Sequence, residues 1–126
     1  MPKLPRISDA EWIVMEVVWS DAPVTANDIV ETLSGRSGWN PRTIKTMLNR
    51  LVKKGALKYE ADGKRYIYRP AVTRQASVKG ESRSFLHRVF GGDVGPMLAH
   101  FVEDARLTPQ QVEKLRKLLD SKAGDP

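Results

Sequence analysis

The chain has 126 residues, 40% of them hydrophobic and 29% charged, a composition that excludes general disorder and allows one good core plus a smaller helical appendage. It contains no cysteine, which excludes disulfides, thiol chemistry and thiolate metal sites and is compatible with a reducing cytoplasm. The formal charge is +6, but ten Lys or Arg stand against two acids between Arg36 and Arg69, a local net of +8 that leaves −2 for the rest. Such a basic patch implies a polyanionic partner, nucleic acid or an anionic membrane surface. The N-terminus lacks the apolar core of a signal peptide, and runs such as Trp12–Met15 are too short to span a bilayer. The expectation is a soluble, non-exported, cytoplasmic protein.

The first helix opens at Ser8, which forms a capping-box pattern with Glu11. Its expected core stripe is Ala10, Ile13, Val14, Val17 and Val18. Trp12, Met15 and Trp19 lie off that stripe, so the helix is expected to bury a second side against another domain or subunit. A turn at Asp21-Ala22-Pro23 comes next, and Val24 is expected to pair with a later hairpin. Thr25 with Asp28 caps a short helix carrying Ala26, Ile29, Val30 and Leu33, and Ser34–Trp39 reads as a glycine- and serine-containing loop.

From Asn40 to Gly55 the chain reads NPRTIKTMLNRLVKKG. Ile44, Met47, Leu48, Leu51 and Val52 recur at the spacing of one helical face, which leaves Arg42, Lys45, Thr46, Asn49, Arg50 and Lys53 pointing outward. Pro41 suits the first helical position and Gly55 the left-handed residue beyond the end. The outward types contact phosphates and base edges, although the same pattern also describes an ordinary solvated helix. That face lacks the aromatic and leucine-rich character that inserts into lipid, which disfavours a membrane partner. Next, Leu57–Ala61 and Lys64–Tyr68 flank Asp62-Gly63, a hairpin signal. Lys58, Lys64, Arg65 and Arg69 sit on or beside this wing. Lys53, Lys54, Lys64 and Arg65 are the candidates for backbone contact on the wing and its flanks. The order helix, helix, basic helix, hairpin is that of a winged helix-turn-helix.

Beyond Pro70 the pattern turns helical again. Thr73 caps a helix through about Phe90, with Val78, Ser82, Phe85, Leu86, Val89 and Phe90 on its apolar side, and Gly91-Gly92 breaks it. Asp93 caps a shorter helix with Met97, Leu98, Phe101 and Val102. Thr108-Pro109 with Gln111 opens a last one with Val112, Leu115, Leu118 and Leu119. From Ala76 onward eight basic residues face seven acids, so this half has apolar stripes to bury and little pull on DNA. Two domains are expected, a DNA-binding domain over 1–72 and a helical dimerisation domain over 73–126. The dimerising residues would be Phe85, Leu86, Val89, Phe90, Leu98, Phe101, Val112, Leu115, Leu118 and Leu119. The alternative is that these helices fold back on the first domain.

His87 and His100 have no cysteine company and no zinc spacing. Glu103-Asp104 are adjacent in sequence and do not converge as a catalytic pair would, and no glycine loop carries the lysine and preceding strand that phosphate cradling needs. No enzymatic function, cofactor or metal is expected.

Three segments, ISDAEWIVMEVVW, WNPRTIKTMLNRLVKKGAL and FVEDARLTPQQVEKLRKLL, carry a resemblance that covers nearly the entire chain: it resembles the BlaI/MecI penicillinase repressors, regulators of β-lactamase and methicillin-resistance genes. The resemblance implies a mainly α fold with a small β-hairpin, a winged N-terminal domain on double-stranded operator dyads and a C-terminal helical domain joining a cytoplasmic bacterial homodimer. It places the residues matching Arg42, Thr43, Lys45, Thr46 and Arg50 toward the major groove. It also implies release by a sensor-linked protease whose cut would fall between His100 and Phe101, where the best-known responsive members carry asparagine in place of His100. The copper-responsive branch uses a C-terminal cysteine cluster that this chain lacks. Two other readings are a winged-helix module for a protein or RNA partner and a regulator released by a small ligand.

Overall fold

In a computed structural model residues 4–124 are described; Met1–Lys3 and Asp125–Pro126 lie outside them. Local signals place most of the helix ends. Helix α1 (Asp9–Asp21) begins with both halves of the capping box: the Ser8 hydroxyl accepts from the Glu11 amide at 3.1 Å, and the Glu11 carboxylate accepts from the Ser8 amide at 2.9 Å. After β1 (Val24–Thr25), the Thr25 hydroxyl caps α2 (Ala26–Ser37) by accepting from the Asp28 amide. Ser34–Ser37 are helical, which corrects the expected loop. Gly38, not Gly35, takes the left-handed φ of 74° that ends the helix, and the Ser37 hydroxyl donates back to the Leu33 carbonyl at 2.6 Å. Helix α3 (Pro41–Lys54) starts with the Asn40 side chain accepting from the Thr43 amide and stops at Gly55, φ 85°.

The wing is β2 (Leu57–Asp62) and β3 (Arg65–Pro70), antiparallel from Leu57↔Pro70 to Asp62↔Arg65. The expected turn at Asp62-Gly63 is shifted by one residue: Asp62 is the last residue of β2 and pairs with Arg65, so Gly63, φ 64°, and Lys64 make the turn, and β3 starts at Arg65 and runs on to Pro70. The pairing of Val24 is observed: β1 joins the far side of β3 through Val24↔Tyr68, giving the order β1-β3-β2.

One core lies beneath these elements. Val14, Met15 and Val18 of α1, Ile29 and Leu33 of α2, and Ile44, Leu48 and Leu51 of α3 are fully buried with Ala56, Leu57 and Tyr68 close by. Each of the large aliphatic side chains stabilises the fold by about 1.5–3 kcal/mol through burial. The expected stripe of α1 needs correction. Ala10 and Ile13 are exposed while Met15 is at the centre, because α1 packs against α2, α3 and β3 together and three neighbours demand a wider buried arc. The off-stripe tryptophans turn to their own unit. Trp12 and Trp19 meet edge-on at 5.2 Å, and the Trp19 indole donates to the Val72 carbonyl at 2.9 Å.

The chain divides between Glu81 and Ser82 into two compact units. The boundary falls inside α4 (Arg74–Phe90), two turns past its start, because those turns are tied to the first unit. The Arg74 guanidinium donates to both carboxylate oxygens of Glu16, at 3.1 and 3.2 Å, and Ser77 is buried with its hydroxyl on the Thr73 carbonyl. In the second unit, Gly91 and Gly92 take positive φ, Asp93 caps α5 (Val94–Asp104), and Thr108 with Gln111 forms a full capping box on α6 (Pro109–Ala123). Phe85 stacks on Phe101 at 6.0 Å, and Phe90 lies 5.9 Å from Phe85 and 6.0 Å from the His100 ring. No residue of α5 or α6 is buried, and Leu98, Phe101, Val112, Leu115, Leu118 and Leu119 are exposed.

Candidate nucleic-acid interface

Helix α3 has two chemically opposite faces. Ile44, Met47, Leu48 and Leu51 seat it in the core, while Arg42, Thr43, Lys45, Thr46, Asn49, Arg50 and Lys53 are all exposed. Fourteen residues make a rod of about 21 Å, so the exposed face is long enough to follow a groove for several base pairs. The Thr46 hydroxyl donates back to the Arg42 carbonyl at 2.9 Å, which leaves its lone pairs and methyl group outward.

The helix is joined by two other elements at a cleft of about 320 Å³. Lys45 and Asn49 form its α3 wall; Lys64, Arg65, Tyr66 and Tyr68 form the wing wall; Thr25, Ala26 and Asn27 close it at the start of α2. Asn27 and Tyr66 were not anticipated from sequence. The readable signal for Tyr66 was alternation, since Tyr59, Tyr66 and Tyr68 share one sheet face, with ring centroids of Tyr59–Tyr66 and Tyr59–Tyr68 at 5.3 and 5.9 Å. Burial, then the neighbouring Tyr59 and Tyr66, raises the Tyr68 hydroxyl above its ordinary pKa. Tyr68 therefore adds no negative charge to a basic cleft.

The basic residues are not equivalent. Arg65 pairs with Asp62 at 2.8 Å and Arg69 with Glu60 at 3.2 Å, both in open solvent. Such pairs contribute about 0–1 kcal/mol, so either guanidinium can turn to a phosphate at little cost. Lys54 differs: its ammonium donates to the Glu11 carboxylate and, at 2.9 Å, to the Arg6 carbonyl. Glu11 is only 3% exposed. Burial alone would push its carboxyl pKa up, but hydrogen bonds from Lys54 and Ser8 and the charge of Lys54 outweigh that and hold it below the ordinary value. Among the described residues no group of His, Cys, Asp and Glu is placed to hold a metal ion, and no helix is long and apolar enough to cross a membrane.

A short helix, a turn, an amphipathic basic helix and an antiparallel hairpin backed by a third strand make up a winged helix-turn-helix. Within that class the chain belongs to the penicillinase repressor family, whose model matches residues 7–121. It is similar to the penicillinase repressor of Bacillus licheniformis, 38% identical over 120 residues that cover 95% of this chain and 94% of the relative. It is 33% identical to the methicillin resistance regulatory protein MecI of Staphylococcus aureus (strain N315), covering 95% of this chain and 98% of that one. Among solved structures it resembles the monomeric form of Bacillus licheniformis BlaI in complex with the blaP half-operator. That match has 44% identity and a TM-score of 0.53, and covers 60% of this chain and 92% of the other.

Proposed function

We propose that this protein is a cytoplasmic homodimeric repressor that binds an operator dyad, each subunit inserting α3 into a major groove and laying the wing on the flanking backbone. The observation that carries the reading is the exposed Arg42–Lys53 face of α3, continuous through the cleft with Lys64 and Arg65. The half-operator complex of the similar Bacillus licheniformis protein supports operator DNA as the partner here. Arg42, Thr43, Lys45, Thr46, Asn49 and Arg50 then read bases and phosphates in the groove, with Lys53, Lys64 and Arg65 on the backbone.

The second unit, or the whole span 73–126, joins the subunits. Its exposed apolar side chains on α5 and α6 are what a partner copy would cover, and a symmetric dimer presents two α3 helices to an inverted repeat. Relief comes from losing that tether. His100 and Phe101 are both exposed on α5, and a cut between them by a sensor-linked protease would release α6 with Val112, Leu115, Leu118 and Leu119. Each half-site held alone loses the effective-concentration advantage of the second.

The test is to titrate the full chain onto its own upstream promoter DNA and onto a scrambled duplex, at two salt concentrations, with footprinting. A dyad footprint preferred by at least roughly a thousandfold is expected. Equal and steeply salt-dependent binding to both duplexes would falsify sequence-specific repression at that promoter. Truncation after His100 should abolish dimerisation and weaken dyad binding; unchanged values for both would remove the proteolytic route.

A further inference from the structure

We propose that Lys54, although it lies in the basic patch, is a positioning residue that seats the end of α3 on the start of α1 and makes no contact with DNA. This rests on the reading of α3 as the DNA-binding helix. Lys54 is the last residue of α3, and its ammonium spends donors on two acceptors near the N-terminus of α1, the Glu11 carboxylate and the Arg6 carbonyl. Glu11 lies almost fully buried with the Ser8 amide as its other donor. Turning Lys54 out to a phosphate would strip the buried Glu11 carboxylate of its cation and leave it only the Ser8 amide, a loss that one solvent-exposed phosphate contact does not offset. Lys53 and Lys54 are both exposed, but only Lys54 has its ammonium directed onto acceptors of the first unit; Lys53 carries no such obligation among the described residues.

The anchor also fixes the root of the wing. Gly55 turns the chain in the left-handed region, the Ala56 amide donates to the Leu51 carbonyl at 2.9 Å, and Leu57 starts the wing buried in the core. The end of α3 and the first strand of the wing therefore share one fixed point. With a helix of about 21 Å, a tilt of a few degrees about that point moves Arg42 by about 1 Å, more than bidentate base contacts tolerate.

The experiment measures anisotropy of labelled promoter and scrambled duplexes with full-length wild type, Lys54→Gln, Glu11→Gln, the double variant, Lys53→Gln and Lys64→Gln across a salt series. Lys54→Gln is expected to lose roughly tenfold on promoter DNA while the slope of log affinity against log salt stays at the wild-type value. Glu11→Gln, which removes no positive charge, should lose as much, and the double variant no more than either single. Lys53→Gln and Lys64→Gln should each lower the slope by about one. A slope lowered by about one in Lys54→Gln, with Glu11→Gln unaffected, would make Lys54 a phosphate contact and overturn the proposal, as would wild-type affinity and slope in both anchor variants. Should Lys54→Gln not fold, Glu11→Gln decides alone, since it keeps the side-chain shape while removing the negative charge that holds the Lys54 ammonium. The wild-type arm reads the repressor proposal separately, through its preference for promoter over scrambled duplex.

Discussion

At the scale of single residues the most constrained group is Glu11, a buried carboxylate that accepts from Lys54 and from the Ser8 amide. Its pKa is held below the ordinary glutamate value of 4.5. A depressed carboxylate stabilises the fold fully above that ordinary value and loses the contribution as pH falls through its folded value. Glu11→Gln should therefore melt at a lower temperature near neutrality and lose stability less steeply than wild type below about pH 4.5. Parallel profiles of melting temperature against pH would detach the acid response from this carboxylate. On the exposed face of α3, Arg50→Ala is expected to cost about 1–3 kcal/mol on operator DNA and to relax specificity. Equal losses on operator and random duplexes would make Arg50 a phosphate contact.

At the scale of elements, the ends of helices were largely legible because capping is local: Ser8 with Glu11, Thr25 with Asp28, and Thr108 with Gln111 all form within one turn. The end of α2 was not, because two glycines compete there and only Gly38 takes the left-handed φ. Glycine substitutions separate these roles. Gly55 has φ 85° with nothing within 4 Å of an added Cβ, so Gly55→Ala should cost about 1–2 kcal/mol through backbone strain alone. Gly35 lies within α2 at an ordinary φ, also with open space around it, so Gly35→Ala should stabilise by about 0.4–1 kcal/mol. Denaturant unfolding at constant m-value checks both, and a stabilising Gly55→Ala would contradict the cap.

At the scale of the whole molecule the exposed apolar residues of α5 and α6 carry the dimer proposal. Leu119, 59% exposed, is expected to become covered in the dimer. Leu119→Glu should then shift sedimentation from dimer to monomer and weaken binding to a full dyad, with half-site affinity preserved. A dimer of wild-type strength in this variant would move the interface elsewhere.

The sequence by itself determined the cast of elements, most of the caps, the two-faced α3 and the presence of the hairpin, since each depends on residues within a turn or two of one another. Tertiary structure alone decided which of Ile13 and Met15 enters the core, because three neighbours press on α1 at once. It also separated Lys53 from Lys54, identical and adjacent in sequence, through Glu11, a partner 43 positions away. The cleft has the same origin: Asn27, Lys45 and Tyr66 meet only because β1 pairs with β3 and α3 packs against α2 and β2. Local periodicity records which way a side chain faces; only packing determines what it finds there.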